Sequence, residues 1–285
     1  MASIGFTFST REHPPFISMY IDVMTVLISL LAVGLAMVIQ RFAKPDDRVF
    51  FLGNTLSQFI CQGWAFCIFM YLCARFNLAL FDDQLIAIDH FFGFDWLGYI
   101  RWLDALPSFW GTRLHSAYYS ILPQCVIMLF LLNGCDYCTH AQRFNIVNLV
   151  SGLVGAILAT LCPSVGGYGY YNIHAQTLPH LHPLIARMHE GVYLALRHHT
   201  AHSIEMPFVG IIGFPSFHVI FAIALMYASL PFTLLRLFFI PLNIIMLVSA
   251  LSEGGHYLSD VLGGLAVAAI GIYAAERTLP RSRYP

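Results

Sequence analysis

Long apolar runs separated by polar stretches dominate this chain, and seven of them reach the roughly 20 residues that a helix needs to cross the hydrocarbon of a bilayer. They run over about 18–40, 49–74, 114–133, 144–163, 214–231, 235–252 and 257–276. In lipid every backbone N–H and C=O has to be satisfied within the segment, so such runs fold as helices. The pattern predicts an all-α fold, a multi-pass transmembrane helical bundle. The first run follows Pro14 and Pro15 and ends at Arg41. Lacking a basic leader and a small-residue cleavage site, it reads as a retained span rather than a signal peptide.

Two long connections, roughly 75–113 and 164–213, fall on one side of the membrane when the spans alternate. In the first, residues 84–106 interleave aromatic and aliphatic side chains with Asp89, Asp95, Arg101 and Asp104. Such a stretch forms one or two helices at the headgroup level, where Trp96, Tyr99 and Trp102 suit a polar–apolar boundary, or a cap packed on the bundle. The second connection holds His174, His180, His182, His189, His198, His199 and His202. No carboxylate or cysteine set of ligand spacing accompanies them, so they read as a solvated loop rather than a metal site.

Composition narrows the classes. Of the 285 residues 58% are hydrophobic and only 10% charged, against about 25% charged in an ordinary globular protein. A net charge of -1 and a single lysine, Lys44, leave no basic field for nucleic acid, which is set aside as a partner. The seven cysteines lie mostly inside apolar runs and imply no disulfide framework. Cys135 and Cys138, with His140, make only half a zinc site. Cytoplasmic ends collect Lys and Arg. An outside amino terminus puts Arg41, Lys44, Arg48, Arg143, Arg236, Arg277, Arg281 and Arg283 inside and leaves six arginines on the long outer segments.

Two polar clusters at helix starts carry the chemistry. Gly213-Phe214-Pro215-Ser216-Phe217-His218 opens an apolar run, with Pro215 where a first turn tolerates it. The free amides of a helix start form an anion pocket, to which Ser216 adds a hydroxyl donor. Ser252-Glu253-Gly254-Gly255-His256-Tyr257-Leu258-Ser259-Asp260 opens the last run. His256 and Asp260, four apart, share a face on a helix. A carboxylate at that depth needs a partner, and an imidazole paired to it gains basicity at its far nitrogen. The chain crosses twice between His218 and His256, so both return to one side. One imidazole can attack phosphorus while the second protonates the leaving oxygen. The oxygen-rich clusters that Mg²⁺ requires are absent, so no metal or other cofactor is implied.

At these residues the chain resembles the type 2 phosphatidic acid phosphatase superfamily, and within it the branch of inositol phosphorylceramide synthases and related bacterial multi-pass proteins. Phe214-Pro215-Ser216-Phe217-His218 matches that branch's F-P-S-[LF]-H motif, and Gly255-His256-Tyr257-Leu258-Ser259-Asp260 its G-H-Y-x-x-D motif. Weaker likeness extends through Asp89, Gly93-Phe94-Asp95-Trp96, Tyr118 to Gln124 and Cys162-Pro163. The resemblance implies a six-helix phosphatase-type core with an extra N-terminal span. It divides the chain into N-terminal spans over 1–79, a membrane core over 80–276 and a cytoplasmic tail over 277–285. It also implies His256 as nucleophile forming a phosphohistidine, Asp260 as its orienting partner, His218 as general acid, and Arg197, rather than Arg187, as the phosphate-binding arginine. The broader superfamily's lysine–arginine first motif is missing, and its serine-arginine opening of the third motif stands here as Ser252-Glu253. Those losses favour a phosphodiester or diphosphate lipid, or a modest phosphate site supplemented by His198, His199 and backbone amides.

The expected activity is therefore an integral-membrane lipid phosphatase acting on a phospholipid or polyprenyl-type lipid phosphate, in a bacterial inner membrane with its site at the non-cytoplasmic face. A lipid phosphotransferase that moves the phospho-headgroup to a hydroxyl acceptor is the close alternative. A histidine-rich haem or ion-handling protein is the alternative from another class; it is disfavoured because the histidines fall in connections and at helix ends rather than within spans.

Overall fold

The computed structural model describes residues 6–8, 17–18, 48–174, 177–181, 183–200, 203–204, 210–211 and 213–279. Its helices are α1 (Arg48–Ala74), α2 (Asp82–Phe91), α3 (Trp96–Asp104), α4 (Ser108–Tyr119), α5 (Ile121–Gly134), α6 (Cys138–Leu161), α7 (Gly166–Tyr170), α8 (Leu184–Arg197), α9 (Phe217–Ser229), α10 (Thr233–Ser252) and α11 (Leu258–Thr278). Three short strands accompany them: β1 (Phe6–Phe8) pairs antiparallel with β2 (Ile17–Ser18) and with β3 (Ser203–Ile204). The expected first span, 18–40, lies outside the described residues apart from Ser18.

The other expected spans fall on helices. Among the described residues α1, α6, α10 and α11 are long and apolar enough to cross a membrane, and α4 with α5, bent by 48° at their junction, makes a fifth if the pair is one span. Pro123 explains the bend: it lacks an N–H and its ring clashes with the carbonyl four residues back, at Tyr119. The protein is an integral-membrane, multi-pass helical bundle. Exposed apolar stripes, such as Leu149, Leu153 and Ile157 on α6, face the lipid.

The run expected over 214–231 is helical only from Phe217 to Ser229. Thirteen residues rise about 20 Å, short of the hydrocarbon thickness, and α9 instead fills the middle of the bundle. Helices α5, α6, α10 and α11 surround it, and Val219, Ala222, Ala224 and Leu225 have no exposed surface. Small residues bring the neighbours close. A Cβ on Gly271 of α11 would stand 2.2 Å from the Ser151 hydroxyl of α6, an approach that only glycine permits.

The two alternatives for 84–106 resolve into a cap with an outward aromatic rim. Leu85, Trp96, Ile100 and Leu103 pack inward with Tyr168, Leu181 and Tyr257, while Phe91, Phe92 and Trp102 are exposed. Trp96, expected at the boundary, is instead buried, because its indole N–H reaches two carbonyls inside. At the other end of the bundle Arg48 binds Asp136 and the Gly134 carbonyl, and Arg143 pairs with Glu276 at 3.3 Å.

Candidate active site

Both motif histidines lie at the capped end. Helix α9 begins one residue after its N-cap, Ser216, so Pro215 precedes the helix rather than sitting in its first turn. The Ser216 N–H donates to the Asp260 carbonyl at 3.1 Å, which pins this strand of chain to α11 before the helix starts. His218 is then the second helical residue.

The partner motif differs from a simple helical pair. Helix α11 starts at Leu258, with Tyr257 as N-cap, so His256 stands just outside it. Asp260, the third helical residue, turns back: its Oδ2 accepts the Tyr257 N–H at 2.9 Å and faces His256 Nδ1 at 3.2 Å. A carboxylate at this helix position capping the N-cap amide is the acidic half of a capping box, and here it takes the imidazole as well. Gly255 makes the preceding turn at φ 66°, a backbone region that favours glycine. A Cβ there would lie 2.7 Å from the Tyr168 ring.

Three side chains of the cap clamp this turn. Asp89 accepts the N–H groups of Leu258 at 2.9 Å and Ser259 at 2.7 Å, the first amides of α11, which have no acceptor within the helix. Asp82 accepts from the Ser164 hydroxyl at 2.8 Å, the Gly166 N–H at 3.1 Å and the Tyr257 hydroxyl at 2.9 Å. Burial nevertheless pushes its carboxyl above the usual range, against those bonds. Trp96 Nε1–H donates to the carbonyls of His256 at 2.9 Å and Leu251 at 3.2 Å.

His256 borders two chambers of different character. One is an apolar cavity of about 230 Å³, whose lining includes His189, His218 and His256 together with Tyr118, Phe217 and Phe221. The other, about 30 Å³, is polar and holds Ser164, His189, Glu190, Tyr193, Gly254 and His256. The His218 ring stacks on Tyr118 with centroids 3.7 Å apart. His189, from α8, borders both chambers. Burial, reinforced by the nearby His256, lowers its pKa from 6.5 to about 4, so it is neutral at ordinary pH.

The predicted phosphate contacts are distributed differently. Arg197 is buried on α8 and donates to the Tyr193 hydroxyl at 3.4 Å. It lines a third recess, of about 10 Å³, which shares Ser164, Tyr193, Ile211 and Gly213 with the polar chamber. Arg187 is instead tied to Glu190 at 2.6 Å and to the Tyr168 carbonyl. The Ser216 hydroxyl is buried with no hydrogen-bond partner among the described residues, and Ser216 is absent from the linings of these three cavities. His198 and His199 are exposed past the end of α8, His199 against Arg75 at 3.2 Å. They are not among the residues lining the chambers around His256. His182 and His202 lie outside the described residues.

A hydrogen bond from Nδ1–H to a carboxylate leaves the imidazole's Nε2 with its lone pair free, the tautomer that a nucleophile needs. The family model of the PAP2 superfamily matches residues 83–274, more than half of the chain. The chain belongs to the PAP2 superfamily. No curated protein and no solved structure matches it. Membership in the PAP2 superfamily brings phosphatase-type activity in general and a phosphorylated lipid-type substrate. The matched stretch opens inside α2 and closes inside α11, so α1 stands outside it.

Three residues of this site escape a reading of the sequence. Asp82 looks like one more polar residue at a cap's edge, and Trp96 like an interfacial aromatic. His189 hides in a histidine-rich tract. A signal for it does exist: His189, Tyr193 and Arg197 recur at four-residue steps, so one face of α8 carries all three.

Proposed function

We propose that the protein is an integral-membrane lipid phosphatase that hydrolyses a lipid phosphate or diphosphate through a phosphohistidine on His256. The observation that carries this reading is that His256, paired to Asp260, lines both a polar chamber and an apolar cavity that His218 also lines. His256 Nε2 attacks phosphorus, the bond from phosphorus to the lipid-side oxygen breaks, and protonated His218 gives that oxygen its proton. Asp260 offsets the positive charge that develops on the His256 ring. In the second half, water gives a proton to His218 and its oxygen takes the phosphorus, which breaks the P–N bond and releases phosphate. Arg197 draws the phosphate's negative charge toward the adjoining recess. Ser216 acts as a positioning residue, holding Asp260 through its backbone.

Water is favoured over a polyol as acceptor by the polar chamber's 30 Å³. A single water needs about 10–15 Å³ of such volume, so two or three waters fit there. The arginines at the uncapped end, Arg48, Arg143, Arg236 and Arg277, support a capped end facing away from the cytoplasm. Within this reading residues 80–276 form the catalytic core and 277–285 the cytoplasmic tail.

Phosphate release from a panel of lipid phosphates, with and without inositol or a ceramide-like acceptor, tests the proposal. The expected result is acceptor-independent release that His256→Ala abolishes while the protein still purifies folded. Product formation only with a hydroxyl acceptor would establish transfer instead, and equal turnover by His256→Ala would remove the nucleophile.

A further inference from the structure

The 230 Å³ cavity does not stop at the histidines. Its far wall is α1, through Phe59, Gly63 and Phe66, and Leu122 and Cys125 of α5 face it. The two helices are joined toward the uncapped end, where Asn133 Nδ2 donates to Thr55 Oγ1 at 3.0 Å, and they enclose the cavity toward the capped end. Gly63 and Leu122 are both exposed on the bundle's lipid-facing side, so the crevice opens sideways at the level of the hydrocarbon. At Gly63 an added Cβ would meet nothing within 4 Å. Glycine is therefore not required there by packing, and its lack of a side chain leaves the opening clear.

Volume says what such an opening is for. An apolar cavity of about 150 Å³ holds one benzene, so 230 Å³ takes only the part of a long chain nearest its phosphate. The remainder has to leave between α1 and α5. We propose that this crevice is the tail channel of the substrate and that Gly63 is a side door whose size sets which apolar chains reach His256. The occupant is the acyl or isoprenoid chain of the lipid whose phosphate sits at the histidines, so the inference rests on the functional reading above. It adds a specificity element on α1, a helix outside the stretch that the superfamily shares.

Two measurements test it. The first compares kcat/KM for two lipid phosphates with one headgroup, a six-carbon chain and a sixteen-carbon chain. Gly63→Phe is expected to lower the long-chain value by about tenfold or more while the short-chain value stays within about twofold. Gly63→Ala and Cys61→Phe, the latter exposed on another face of α1, are expected to match the parent on both. An equal effect of Gly63→Phe on the two substrates, or none, overturns the door. The second uses a photoactivatable long-chain alkylphosphonate, which needs no turnover: labelling is expected on the peptide spanning 59–71 and is lost in Gly63→Phe. Labelling without any phosphate release would sink the proposed hydrolysis and leave the channel standing. Phosphate release with labelling confined elsewhere would do the reverse.

Discussion

Asp260 meets His256 across the start of a helix rather than along it, Oδ2 to Nδ1 at 3.2 Å. The same oxygen accepts the Tyr257 amide, so one carboxylate both starts α11 and orients the ring that precedes it. Folding of the last span and alignment of the imidazole are thereby one event. The second oxygen, Oδ1, is buried and has no hydrogen-bond partner among the described residues. A carboxylate half satisfied at that depth is costly, and the ring it holds is the compensation in chemistry rather than in stability.

Asp260→Asn separates those two roles. The amide oxygen can take the place of Oδ2 and accept from both the Tyr257 N–H and the His256 Nδ1–H, so the helix start and the tautomer survive, but the charge that steadies an imidazolium is gone. A fall in kcat of about 10²–10⁴-fold is expected, with KM little changed and the melting temperature held or raised. Steady-state phosphate release with a parallel melt checks this. An unchanged kcat would show that the carboxylate serves only the helix.

Much of this architecture was legible because water and lipid impose opposite demands. The apolar runs over 49–74, 144–163, 235–252 and 257–276 could only be helices, and His218, His256 and Asp260 stood out as ionisable residues where apolar runs begin. What escaped depends on placement in three dimensions. The periodicity that put His256 and Asp260 on one helical face was right about their meeting and wrong about the helix, which starts at Leu258 because the amides there have an acceptor in Asp89. That acceptor comes from α2, some 170 positions earlier, and no local pattern reports it. His189 was hidden for the reverse reason: it is one of seven histidines in the connection over 164–213, and only the fold of α8 distinguishes it from them.

The clamp made by the cap gives a graded expectation. Asp89→Ala leaves the buried amide of Ser259 and the half-buried amide of Leu258 without an acceptor, at about 1–3 kcal/mol each, and removes a negative charge from a helix N-terminus. A loss of roughly 2–5 kcal/mol is expected, together with reduced turnover at temperatures where the protein remains folded. Asp83→Ala, on the same helix, removes only an exposed bond to the Tyr170 hydroxyl and should change stability by no more than about 0.5 kcal/mol. Chemical or thermal unfolding in one detergent compares them. Equal stabilities for the two variants would mean that the cap does not hold the turn.

His189 makes the site sensitive to acid in a direction that can be worked out. An unfolded histidine titrates near 6.5, and in the fold burial and the neighbouring His256 bring His189 down to about 4. Between those values the unfolded chain takes up a proton that the folded chain refuses. Stability therefore falls as the pH drops from about 6.5 toward about 4, by up to ~1.4 kcal/mol per pH unit for this one group, and is unaffected by it above that window. His189→Gln removes the titration while keeping a polar side chain between the two chambers. Melting temperatures measured from about pH 7.5 to about pH 4.5 should then fall less steeply for the variant than for the parent, with the two curves separating only below about pH 6.5. Parallel curves across the whole range would place the imidazole in water rather than beside His256, and with it the polar chamber would lose the wall that α8 gives it.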